Sequence, residues 1–197
     1  DSLKEVVADF NARNILIISD KGVAGAGLIS RPQALLEETG ASVSIIDDTP
    51  PEPSVEQVES ILAAAQGTAW DLVIGIGGGS AMDVAKIVAV MLNNDVKLRD
   101  LLNKAPIPRR GIPTVMVPTT AGTGSEATPN SIILVPEDEL KVGIVSPKLM
   151  PDCVILDPQM TLGLPPAITA STGMDALTHA IECYTSKKGN PFAEMIA

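Results

Sequence analysis

The chain has 197 residues, 45% of them hydrophobic, which is enough to bury a substantial core in one large domain or one domain plus part of another. Its net charge of −10, with no Lys/Arg cluster, argues against nucleic acid or an anionic membrane as partner. Cys153 and Cys183 form neither a disulfide framework nor a CxxC pair, no apolar run approaches the ~18 residues of a membrane span, and no signal-peptide pattern opens the chain, so a reduced, cytoplasmic setting is expected.

Leu3, Val6, Val7 and Phe10 share one face of an opening helix, and its abrupt start leads us to expect that sequence precedes Asp1. Residues 14–19 (NILIIS) read as a strand with Asp20-Lys21-Gly22 at its carboxyl end, and residues 28–39 as a helix stopped by Gly40. A second strand covers residues 42–47. After the prolines at 50, 51 and 53, Ser54 and Gln57 form a capping box ahead of Val55, Val58, Ile61, Leu62 and Ala65.

The third unit organises the rest. Residues 71–76 are a short apolar run, Gly77, Gly78 and Gly79 follow, and Met82, Val84, Ala85, Val88, Ala89 and Leu92 then recur at helical spacing. Strand, glycines, helix is the recipe for an anion site, in which the main chain comes close to a phosphate and the new helix offers unpaired N–H groups and its dipole. A tight connection whose glycines only solve a packing problem would look similar. No Gly-Lys-Ser/Thr follows, which excludes a nucleoside triphosphate P-loop, and on glycines alone the ligand could be any phosphate-bearing molecule. Three βα units in series predict a doubly wound parallel sheet, and aromatics at 2% leave Val, Ile, Leu and Ala to build it.

Beyond Asn93 the rhythm changes. A short helical piece covers residues 98–102, a proline-rich loop with two arginines follows, and residues 113–117 (PTVMV) form a fourth strand. That strand ends in a small-residue loop, PTTAGTGSEATPN, over residues 118–130. Residues 131–135 and 141–146 flank PEDEL as a β-hairpin, residues 153–156 form another buried strand, and LGLPP at 162–166 is a hinge or boundary ahead of a helix over 168–184.

Three groups of residues could carry chemistry. Asp20 lies where ligands bind parallel sheets, outside a strand's carboxyl end, and can either accept ribose hydroxyls or cap a helix. The hydroxyl-rich loop around Thr119, Thr120 and Thr123 occupies an equivalent place and reads as a second phosphate binder or as an irregular polar loop. Asp175 and His179, the sole histidine, share a helix face at i, i+4 and can bind one divalent ion, although such pairs are also common on solvated faces.

GGGSAMDVAK, VPTTAGTGSEAT, KVGIVSPKLMPDCVILDP and LPPAITASTGMDALTHAIECY, in this order and spacing, resemble the iron-containing (group III) alcohol dehydrogenases over nearly the whole chain. The resemblance implies a Rossmann-like NAD-binding α/β domain over residues 1–161. Residues 162–197 would be the truncated start of an all-helical metal-binding domain, with catalysis between the two. It places the pyrophosphate on Gly77, Gly78, Gly79 and Ser80, and sets Asp83, Asn130 and Lys141 near the cofactor. It gives the phosphate and nicotinamide ribose to Thr119, Thr120 and Thr123, and the adenosine ribose to Asp20, favouring NAD over NADP. Asp175 and His179 become two metal ligands, for Fe²⁺ first and Zn²⁺ second. The chain departs from the pattern at Glu52, where asparagine is usual, and in lacking two further histidines, so it is expected to be an inactive fragment of a homo-oligomeric enzyme. The implied activity interconverts a small primary alcohol or diol with its aldehyde, no residue of this chain being assigned a catalytic role. The alternatives are a glycerol dehydrogenase or dehydroquinate synthase type of enzyme, or a nucleotide-binding module without turnover.

Overall fold

The computed structural model describes residues 2–196. In chain order it contains α1 (Ser2–Phe10), β1 (Asn14–Ile18), α2 (Lys21–Gly25), α3 (Ser30–Glu37), β2 (Ser42–Ile46), α4 (Val55–Ala65), β3 (Leu72–Gly77), α5 (Gly79–Leu92) and α6 (Leu98–Leu102). Then come β4 (Thr114–Pro118), β5 (Asn130–Val135), β6 (Leu140–Val145), β7 (Cys153–Val154), α7 (Pro166–Thr185) and α8 (Pro191–Ile196), with short 3₁₀ turns between them.

Five strands make a parallel sheet in the order β2-β1-β3-β4-β7, and β5 and β6 pair antiparallel as a separate hairpin. Strand side chains alternate between faces, and two cores result. Ile15, Ile17, Leu72, Ile74, Val115 and Val117 face α1, α2 and α3, whereas Leu16, Ile18, Val73 and Met116 face α4 and α5. Helices thus cover both faces of a Rossmann-like sheet. α5 is apolar on nearly every side because the sheet, α4 and the hairpin enclose it. Burying Val84, Ile87 and Val88 there contributes about 1.5–3 kcal/mol each.

Close packing of α5 on β3 needs Gly75. A Cβ there would lie 2.7 Å from Met116 Sδ and 2.9 Å from Ala85 Cβ. β2 follows β1 on one side of the sheet and β3 lies on the other, so the strand order reverses between β1 and β3. The crevice outside the carboxyl ends of strands at such a reversal is where open α/β sheets hold ligands.

Some elements differ from expectation. Lys21–Gly25 is a short helix because Asp20 caps it, its Oδ1 accepting from Val23 N at 2.9 Å. β7 pairs over only two residues, Cys153 and Val154, and Leu156, expected in a buried strand, points to solvent. α7 and α8 bury no residue, and Leu177, Ile181 and Tyr184 are exposed. The outer residues of the two sequence-based domain ranges, Asp1 and Ala197, lie outside the described residues. No helix among the described residues is long and apolar enough to cross a membrane.

Candidate functional site

Asp20 ends β1 and the glycine turn ends β3, so the strand-order reversal brings them together. Ser19 reinforces the junction by donating from Oγ to the carbonyl of Ile76 at 2.7 Å. Asp20 leans over the turn, with Oδ2 only 3.2 Å from where a Cβ on Gly77 would sit. Its two carboxylate oxygens divide the work. Oδ1 caps α2, while Oδ2 has no hydrogen-bond partner among the described residues.

The three glycines are not equivalent. Gly77 is required by packing, because a Cβ would fall 2.6 Å from Ala81 Cβ. Gly78 has φ −79 and ψ −170, torsions that any residue adopts, and a Cβ there would make only ordinary contact with Thr120 at 3.4 Å. A Cβ on Gly79 would meet Thr123 at 3.3 Å, a contact relieved by a few tenths of an ångström. Neither torsion nor neighbour demands glycine at 78 or 79.

The helix they open is also uncapped. α4 has a complete capping box from Ser54 and Gln57, whereas no side chain caps α5, so the first-turn N–H groups remain available beside the dipole's positive end.

The loop after β4 folds over this opening. Thr119 N donates to the Gly77 carbonyl at 2.9 Å, which lays the loop directly on the glycine turn. Thr120 Oγ1 is buried without a hydrogen-bond partner and lies 3.6 Å from the Cβ position of Gly78. An orphan buried hydroxyl costs about 1–3 kcal/mol unless a ligand or water meets it. Thr123 faces Gly79, and its Oγ1 accepts from Ser125 N at 3.3 Å. The same loop also meets α7, since a Cβ on Gly122 would lie 2.0 Å from the Thr172 carbonyl oxygen.

Glu52 flanks the other side of the turn. With φ +50, it donates its N–H to Ser80 Oγ at 3.3 Å, and its carboxylate takes Lys141 Nζ at 2.7 Å. Lys141 therefore sits within one side chain of Ser80. Asn130 opens β5, half-buried, at the end of the same loop.

Asp83 and Lys86 are the buried charges of α5. Lys86 Nζ lies 2.9 Å from Asp83 Oδ1 and donates to the carbonyls of Ser125 at 2.9 Å and Thr128 at 3.4 Å. Desolvation pushes its pKa below the usual lysine value, with Asp83 opposing that shift. Both Asp83 oxygens are taken within the chain, Oδ1 by Ser125 Oγ as well as Lys86, and Oδ2 by Ile132 N at 2.9 Å. Lys86 was not among the residues the sequence pointed to. The signal for it is a lysine three residues after an aspartate in an otherwise apolar helix.

On α7, His179 Nε2 lies 3.7 Å from Asp175 Oδ1, with both side chains about half exposed. Among the described residues no group of three or more His, Cys, Asp or Glu could hold a metal ion, so this pair alone does not make a metal centre.

The geometry is therefore an uncapped helix start, a free carboxylate oxygen and an orphan hydroxyl around one crevice. Comparison with known proteins agrees with it. The profile of the iron-containing alcohol dehydrogenases matches residues 1–158. Long-chain-alcohol dehydrogenase 1 of Geobacillus thermodenitrificans is 39% identical over 200 residues, covering 100% of this chain and 50% of its own length. The 4-hydroxybutyrate dehydrogenase of Cupriavidus necator is 36% identical over 99% of this chain and 51% of its own. The structure of sulfoacetaldehyde reductase from Bifidobacterium kashiwanohense in complex with NAD⁺ superposes with TM-score 0.86 at 34% identity, over 95% of this chain and 50% of that one. The chain thus spans about half the length of the curated relatives it matches. From sequence and fold alike, it belongs to the iron-containing alcohol dehydrogenase family.

Proposed function

We propose that residues 1–161 bind NAD and form the cofactor half of an oxidoreductase that interconverts a small primary alcohol or diol with its aldehyde. Residues 162–197 would begin its helical half. The observation that supports this most is the crevice at the strand-order reversal, where Gly78 and Gly79 have no internal reason to be glycine and Gly78 faces the orphan buried hydroxyl of Thr120. That combination suits a pyrophosphate, which needs close main-chain approach and several donors at once.

The α5 first turn and Ser80 take the pyrophosphate, with Thr119, Thr120 and Thr123 closing over it. Asp20 Oδ2 accepts from the adenosine ribose hydroxyls and repels a 2′-phosphate, which favours NAD over NADP. Asn130 and Lys141 also lie near the cofactor. When bound, NAD supplies a hydride acceptor at the nicotinamide C4. The relatives act, by name, on long-chain alcohols, 4-hydroxybutyrate and sulfoacetaldehyde, which supports an alcohol–aldehyde couple.

Asp175 and His179 supply one carboxylate and one imidazole, which suits Fe²⁺ or Zn²⁺ chemically but is too few groups for tight binding. The second reading, a nucleotide-binding module without turnover, draws on that half-complete pair. The glycerol dehydrogenase or dehydroquinate synthase type is less favoured because the GTGSE loop and the DALTHAIE helix follow the alcohol dehydrogenase pattern.

Calorimetric titration with NADH and NADPH, paired with turnover assays on ethanol, propanediol and glycerol, tests the reading. The 197-residue chain is expected to bind NADH, to retain no Fe²⁺ or Zn²⁺ through gel filtration, and to produce no NADH from alcohol. Absence of NADH binding would sink the cofactor assignment. One tightly held ion per chain, or measurable turnover, would overturn the reading of Asp175 and His179.

A further inference from the structure

An ion pair inside an apolar helix needs a reason, because removing two charges from water costs several kcal/mol each and a hydrophobic pair of similar size is often as stable. Asp83 and Lys86 lie on α5, the helix that begins at the glycine turn, and the Lys86 side chain is 0% exposed. Every further partner they have comes from one segment, residues 125–132. Lys86 takes the carbonyls of Ser125 and Thr128. Asp83 takes Ser125 Oγ and Ile132 N, and its own carbonyl accepts from Ser131 Oγ at 2.9 Å. The pair is a clamp that fastens this segment to the flank of α5. The segment directly continues the loop whose Thr120 and Thr123 stand over Gly78 and Gly79.

We propose that Lys86 and Asp83 are positioning residues, which set the gap between the loop at 119–125 and the α5 N-terminus and thereby the fit of the pyrophosphate and nicotinamide half of the cofactor. The proposal rests on the dinucleotide-binding reading above. It also gives Asp83 a role unlike the one implied by resemblance. Its carboxylate is fully engaged by the loop and the lysine, so it acts through the loop and not by touching the ligand. Asp20, at the other end of the crevice, has no bond to the clamp, so the adenosine end is independent of it.

The test removes the clamp without leaving a lone buried charge. In the double variant Asp83→Asn/Lys86→Met, NADH affinity by calorimetry is expected to fall about tenfold or more, the worth of lost hydrogen bonds to a charged group. AMP, followed by chemical-shift titration, is expected to weaken by less than about threefold, since it lacks the nicotinamide half. If the unmodified chain binds neither probe, the dinucleotide reading fails and takes the proposal with it. If the unmodified chain binds NADH and the double variant binds it equally well, the positioning role alone is overturned. Equal losses for NADH and AMP, with the melting temperature retained, also overturn it. Should the double variant lack a cooperative melt, Ser125→Ala decides, because it removes the bond from Ser125 Oγ to Asp83, the clamp contact nearest the 119–125 loop, while both charges stay paired. A several-fold loss for NADH with AMP unaffected supports the clamp, and unchanged NADH affinity refutes it.

Discussion

Gly75 and Gly79 stand four residues apart in one strand–turn–helix unit, yet alanine should affect them in opposite ways. At 75 the new methyl falls 2.7 Å from Met116 Sδ and 2.9 Å from Ala85 Cβ, inside a core where both neighbours are fully buried. Overpacking of this kind costs about 1–3 kcal/mol. For a domain of this size that lowers the melting temperature by roughly 2–4 °C per kcal/mol, or about 2–12 °C in all. At 79 the methyl meets only Thr123, at 3.3 Å, in the first helical residue. There alanine gains up to about 1 kcal/mol in helix propensity and unfolded-state entropy, which offsets a displacement of a few tenths of an ångström. Stability should stay within about 2 °C of the parent. The same methyl, however, stands where a phosphate must approach the main chain, and displacing a charge-assisted hydrogen bond worth about 1.5–3 kcal/mol weakens NADH about 10- to 100-fold. Differential scanning calorimetry and NADH titration on both variants separate the two effects. If Gly79→Ala keeps its NADH affinity, or melts as low as Gly75→Ala, Gly79 serves packing and the cradle assignment fails.

Two further outcomes follow from single carboxylates. Asp20→Gly should narrow the NADH-over-NADPH preference by removing the charge that faces a 2′-phosphate; equal affinities for both in the unmodified chain would contradict the premise. Asp71 accepts from the N–H groups of Asn14 at 2.8 Å and Arg13 at 2.9 Å, which hold its pKa below the usual 3.8. A depressed carboxylate adds stability above its unfolded pKa and loses it as pH falls through the lower folded value. Melting temperatures of Asp71→Asn should therefore decline less steeply than the parent's below about pH 4, and parallel curves would show that the pairing contributes nothing.

Much of the fold was legible because the signals were local. The short apolar runs of β1, β3 and β4, the Ser54–Gln57 box and the stop at Gly40 each lie within a few residues, and each formed where its pattern stood. The strand–glycine–helix unit on which the anion site is proposed was legible for the same reason, as its parts are contiguous. What escaped was set by tertiary partners. Lys21–Gly25 is too short for periodicity and exists because Asp20 caps it. Lys86 reads locally as an ordinary helix lysine, and its burial depends on carbonyls some forty residues away in the chain. Likewise, the glycines could be counted from sequence, but which were needed for packing required Met116, Ala81 and Thr123 in place.

The loop over the crevice also has a second attachment, which ties the two chemical groups of residues together. Gly122 lies so close to α7 that a single methyl would strike the Thr172 carbonyl, so the loop and this helix cannot approach any closer at that point. Thr172 precedes Asp175 by three residues and His179 by seven, which places all three on one helical stripe. The Asp–His pair consequently takes its direction from the same loop that Asp83 and Lys86 fasten to α5. A ligand that tightens the gap at Thr120 and Thr123 must therefore act on the loop that seats the Asp–His helix. Any coupling between the proposed cofactor site and the Asp–His pair would run through this one loop, because it touches both α5 and α7.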